Sequence, residues 1–296
     1  MPTHSSNDSV FGGFNIFLQS KDAIKDKTHK NAHCDFFLDK IIQPERGDIG
    51  MLVSCIDAEI PFSFYNVSQS LGNTTLTVNN EPFELDDRNY NAFNVADAFN
   101  AKFAASTSCV GISMTFGDTT NKFTFTTSNV DEHGVLVPFT INSTTMVKEL
   151  GINDAPTPAV TSYTSAACAN LSGTSSIYIE STNMLLNNVN SFGKTFNVLS
   201  KVLVDTSPSS FIFYQPNQPQ YFMLNNTLNY VNIQMKNDDG QFINFNNVEW
   251  SLTLSIEFYR KRDDIINTKF LMDYPVYNKT EEPPPTKNKK PPKDDQ

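Results

Sequence analysis

Histidines, cysteines and pairs of adjacent aspartates are the residues of this chain whose types could do chemistry. The histidines are His4, His29, His33 and His133. His29 and His33 are four positions apart and precede Cys34. On a helix, that spacing would line up ligands for a metal ion. In a polar segment with no further ligand pattern, chance placement explains the same residues, so no metal site is expected. Cys109 or Cys168 as a nucleophile would need a histidine partner, and only His133 lies outside the first 33 residues. Both therefore read as small core or loop thiols. Cys34, Cys55, Cys109 and Cys168 show no CxxC spacing, which fits free thiols and an intracellular origin.

The acid pairs Asp86/Asp87, Asp238/Asp239 and Asp263/Asp264 form no two-carboxylate site, because neighbours on a strand point to opposite faces. Turn chemistry accounts for Asp238 and Asp239 within "NDDGQF", and "RKRDD" (260–264) reads as a solvated charge cluster. GxSxG, HExxH, Walker and GxGxxG motifs are absent. The expectation is a non-enzymatic protein without cofactor.

The chain that must position these groups has 296 residues, enough to bury a substantial core. It is 39% hydrophobic and 18% charged, with 24 Phe against one Trp. Phe, Thr, Ser, Asn and Val recur, while helix-forming runs are scarce, which favours strands. A net charge of −10 argues against a nucleic-acid partner, since phosphate binding needs clustered Lys and Arg. No signal-peptide pattern opens the sequence, and no apolar run approaches the ~18 residues of a membrane span.

Along the chain, 1–33 lacks sustained periodicity and reads as a flexible N-terminal arm. Strand patterns follow at 34–42, 49–67 and 73–78, and Leu52, Ile56, Ala58 and Ile60 are expected to share a face. The middle differs. "NVADAFNAKFAA" (94–105) carries Val95, Phe99 and Phe103 at helical spacing with Asn94 as cap, "GDTT" joins two strands, and Gly151 closes a short helix. Strands return over 176–259, ending in "EWSLTLSIEFY", where Trp250, Leu252, Leu254, Ile256 and Phe258 alternate with polar residues. The tail 277–296 is rich in Pro and Lys and reads as disordered.

About eight strands outside the middle give an all-β fold, a single eight-stranded jelly-roll sandwich. The expected jelly roll spans 34–80 and 171–276. The segment 81–170 is expected to be an inserted β-rich lobe carrying a short helix.

Two stretches carry a more specific reading. "AEIPFSFYNV" (58–67) resembles the "iPxSFYNI" segment of single jelly-roll minor capsid proteins, the pentons of virophages, polinton-like viruses and related double-stranded DNA viruses. "NVADAFNAKF", "ISMTFGDTTNKFTFT", "LGIND", "SIYIES" and "NIQMKNDDGQFINFNNVEWSLTLSIEF" follow in similar order, so the resemblance spans about 34–260. It implies homopentamers at the fivefold vertices of an icosahedral virion, beside a double jelly-roll major capsid protein, assembled in the host cytoplasm. The lobe would face outward toward a vertex fibre or host receptor. Pro61 would bend or end sheet pairing, and Phe62, Phe64 and Tyr65 would pack the sandwich or a subunit contact. "VFGGF" (10–14) resembles sites cut by capsid-maturation proteases, with Gly12 and Gly13 at the cleavage position; a flexible turn explains the same residues. The alternative function is a receptor- or glycan-binding head of a viral spike or fibre.

Overall fold

A computed structural model describes residues 9–44, 48–184, 188–189, 195–224 and 227–260. The chain begins with β1 (Ser9–Gln19), β2 (Ile24–Asp26), β3 (Lys30–Ile42) and β4 (Asp48–Pro61). There follow β5 (Thr75–Val78), β6 (Glu81–Glu84), helix α1 (Ala92–Ala105), β7 (Ile112–Gly117), β8 (Lys122–Thr127), β9 (Ile141–Thr144), helix α2 (Val147–Leu150) and β10 (Ser162–Thr164). The last group is β11 (Ser176–Glu180), β12 (Asn188–Val189), β13 (Thr195–Phe196), β14 (Val198–Leu203), β15 (Phe211–Tyr214), β16 (Phe222–Leu224), β17 (Leu228–Lys236) and β18 (Ser251–Arg260).

Two antiparallel sheets form the body. One runs β1-β18-β4-β15, with β16 also on β4, and the other runs β14-β11-β17-β3-β2. The strands β1, β3, β4, β11, β14, β15, β17 and β18 can be counted one to eight. The sheet orders are then 1-8-3-6 and 5-4-7-2, which is the jelly roll. Leu252, Leu254 and Ile256 of β18 face inward opposite Ala58, Cys55 and Val53 of β4, and meet Ile177, Val231 and Ile233 of the second sheet in one apolar core.

The chain leaves the sandwich after Phe64, between the third and fourth strands, and returns near Gly173, building in between a lobe of two small sheets, β6-β5-β9 and β10-β8-β7. Val95, Phe99 and Phe103 of α1 are fully buried against Phe83, Met114 and Phe125, a core separate from that of the sandwich. The Phe103 ring meets Phe83 edge to face at 4.9 Å. Asn100 reaches from α1 to the edge strand β7, donating to Met114 O (2.9 Å) and accepting from Met114 N (2.6 Å). It thus satisfies an edge that would otherwise stay unpaired.

Several expectations are corrected. The segment expected to be an arm supplies the first jelly-roll strand, because Phe14, Ile16 and Leu18 of β1 lie opposite Ile256, Leu254 and Leu252. The stretch 73–78, expected in the jelly roll, pairs within the lobe as β5. A bulge at Ile56 splits β4, so Met51, Val53, Cys55, Ala58 and Ile60 face the core rather than Leu52 and Ile56. The cap of α1 is Asn91, whose side chain accepts from Asn94 N at 2.8 Å. His4, Asp263, Asp264 and the tail 277–296 lie outside the described residues.

Phe99→Ala is expected to destabilise the lobe by about 3–5 kcal/mol. Hydrogen exchange should then lose protection in β7 and β8 while β3 and β17 keep theirs; equal loss in both would show that the two cores unfold as one.

Candidate interaction surfaces

The sequence 59–67 ends one sheet and begins the lobe. Pro61 is buried at the end of β4, opposite Phe211. Pairing continues one residue further, since Phe62 N donates to Ser210 O (2.8 Å) and Ser209 N donates to Phe62 O (2.9 Å). Phe64 is buried in the sandwich core, edge-on to Phe245 at 6.2 Å, and Phe62 stacks on it at 4.5 Å. Tyr65 is half-buried and, with Phe62 and Phe64, lines a cavity of about 330 Å³. Phe64 is therefore a core group of the sandwich.

Asn66 clasps both ends of the lobe. Its Oδ1 accepts from Tyr90 N (2.8 Å), and its Nδ2 donates to Tyr90 O (2.8 Å) and Leu171 O (2.7 Å). Its own N–H donates to Asn89 Oδ1 (2.9 Å) and its carbonyl accepts from Asn73 Nδ2 (2.9 Å). Gly173 has φ +67°, and a Cβ there would lie 2.8 Å from Asn66 Cβ, so only glycine lets the returning chain approach. A side chain with one acceptor and two donors can stitch three separated backbone segments only if all its bonds are made.

Beside this clasp, a cleft of about 700 Å³ separates lobe and sandwich, lined by Asn73, Lys148, Glu149, Asp238 and Asp239 among others. Lys148 pairs with Asp239 at 3.1 Å, an exposed contact of small energetic value. Asp238 accepts from Ser175 N, Ser175 Oγ and Ser176 N at 2.9–3.0 Å. Burial works to raise its carboxyl, but these hydrogen bonds outweigh it and hold the group below its ordinary value, as an anion. Both aspartates thus reach beyond the turn that their sequence explains. The cleft lining holds neither histidine nor cysteine.

The groups weighed for chemistry are scattered. Burial pushes the Cys34 and Cys55 thiols up to about 12 and raises that of Cys109, which disfavours the nucleophilic thiolate. Cys168 is exposed, with Sγ 3.6 Å from Thr120 O, and His133 sits exposed in a turn beside Glu132. Gly12 and Gly13 lie in β1 at a bulge against β18, and a Cβ on Gly13 would sit 2.7 Å from Ile256 O. Close strand approach gives Gly13 a packing reason. His29 and His33 do come together, across the β2–β3 hairpin rather than on a helix, while Cys34 faces the core.

Large apolar side chains stand exposed at the flanks of the first sheet. Phe17 on the edge strand β1 is 74% exposed, and Phe213 on β15, at the opposite edge, is 73% exposed. Phe211 and Met223 continue the second patch. Between the flanks the outer face is polar: Phe17 lies opposite Thr253, which donates to Asp57 (2.8 Å), and Phe213 lies opposite Glu59. On the other sheet, Phe37 is exposed and stacks on Tyr230 at 6.0 Å. Periodicity does not mark Phe17 or Phe213 as surface groups, because each stands between inward apolar neighbours, Ile16 and Leu18 for Phe17 and Ile212 for Phe213.

Asn66→Ala should lower stability by about 1–3 kcal/mol, because it orphans Tyr90 N–H and the Tyr90 and Leu171 carbonyls. Urea unfolding measures this; an unchanged midpoint and slope would remove Asn66 as the clasp.

No family model matches the sequence, and no curated protein matches it. Among solved structures, the crystal structure of selenomethionine-labelled mavirus penton protein is similar to this chain, with a TM-score of 0.43 at 15% identity, covering 83% of this chain and 100% of that one.

Proposed function

We propose that this chain is a structural subunit of a virus capsid, a penton protein that forms homopentamers at the vertices of an icosahedral shell. The observation that carries the reading is the unlike apolar exposure of the two flanks of one jelly-roll sheet, the single ring of Phe17 on β1 and the patch of Phe211, Phe213 and Met223 on the opposite side. A ring of identical subunits joins head to tail, so each subunit needs two different, complementary patches rather than one self-complementary patch. Exposed aromatics at strand edges are the groups that such a contact would cover. The strip between them is polar, with Thr253 buried in it and bonded to Asp57. The subunit number of five, the vertex position and a double jelly-roll major capsid protein as neighbour rest on the resemblance of 58–67 and the segments after it. In this reading the lobe, with its own core, faces outward and meets a fibre or receptor. The role is structural rather than catalytic, in the virion, and removal of the first residues at Gly12–Gly13 would trim β1 without touching the Phe14–Leu18 pairing.

A second reading has its own support. The cleft between lobe and sandwich is rich in Asn, Asp, Ser and Thr, as a glycan-binding head of a spike would require. A glycan array separates the two readings.

The double substitution Phe17→Ser and Phe213→Ser is expected to abolish ring formation in analytical ultracentrifugation while the circular dichroism spectrum stays unchanged. Rings that persist in this variant would remove the flank contact.

A further inference from the structure

We propose that Asp26, His29 and His33 bind one divalent transition-metal ion of the zinc class, which fastens the β2–β3 hairpin at the edge of the second sheet. One donor atom from each residue lies within 4.8 Å of the others. Zinc bonds of this kind place donors about 3.3 Å apart, so small side-chain rotations close the site. Two imidazoles and a carboxylate suit zinc and its neighbours, and suit magnesium or calcium poorly.

The details of the cluster favour a ligand set over a plain ion pair. His29 Nδ1 is 2.9 Å from Asp26 Oδ1, yet it is buried and makes no directed hydrogen bond. A ring nitrogen beside a carboxylate oxygen but not aimed at it is the arrangement of two ligands converging on a third atom. Asp26 Oδ1 already accepts from Thr28 N (2.9 Å) and His29 N (2.7 Å), which fixes the carboxylate in the hairpin turn.

The surroundings hold the rings in place. Phe242 stacks on His29 at 3.9 Å and lies parallel to His33 at 5.9 Å. His33 Nε2 accepts from Asn232 Nδ2 at 3.0 Å, and the same amide donates to Asp35 at 2.6 Å, which fixes the plane of the ring. The nearby Lys236 ammonium, over the Phe242 ring, is neutralised by Glu180 at 2.6 Å. Three protein ligands leave a fourth position for water or a donor from a neighbouring molecule. Bound metal would join the short edge strand β2 to β3 and, through Phe242, to the segment that follows β17.

The test is isothermal titration of the untagged, chelator-treated chain with zinc chloride. Saturable binding of one zinc per chain is expected. His29→Ala with His33→Ala should weaken it at least about 100-fold, and Asp26→Asn, which keeps the turn acceptor, about 10-fold, a loss of the size seen when a site's supporting groups are removed. His133→Ala should change nothing, and cobalt in place of zinc should give the visible absorption of a four-coordinate site. Absence of saturable binding, or binding unaltered in the double variant, would overturn the proposal.

Discussion

The ladder between β4 and β18 is the constraint on which the rest depends. β18 inserts between β1 and β4, so the first sheet is joined only when the chain has reached residue 251. Its inward residues Leu252, Leu254 and Ile256 form the middle of the sandwich core. Among the described residues β1 pairs only with β18 in that sheet, and β15 and β16 hang on the far side of β4. Pairing across nearly the whole sequence makes the fold dominated by non-local contacts, which form late and slowly.

Such a sandwich can carry a long insertion only where both ends of the insertion emerge together. Asn66 and Gly173 meet that need, since one amide side chain binds the outgoing and returning backbone and the glycine allows them to touch. The lobe then keeps its own core around α1, separate from that of the sandwich. The separation has a functional consequence. In the proposed reading, the flanks with Phe17 and Phe213 and the surface of the lobe meet different partners without sharing side chains.

Much of this was legible in the residues. The alternation over 250–258, the helical stripe of Val95, Phe99 and Phe103, and the turn chemistry of Gly151 each report a single local preference that the fold obeys. What stayed hidden has identifiable causes. β1 carries Phe14, Ile16 and Leu18 on one face, of which only Ile16 and Leu18 reach the core, and Phe17 on the other face and the Gly12–Gly13 bulge break the alternation. The bulge at Ile56 inverts the pattern of β4 halfway along, and no local residue type announces it. Asn66 bonds to residues 24 and 105 positions away, so nothing in its neighbourhood marks it as the clasp. The i, i+4 spacing of His29 and His33 points to a helix, whereas a hairpin turn is what brings them together.

The central claim is that this jelly roll assembles through its two unlike flanks into a fivefold ring. Class averages of the purified chain by electron microscopy test it most directly, because they read the rotational symmetry itself. The account predicts closed rings with fivefold symmetry. Threefold particles would contradict it and would favour the head of a spike or fibre.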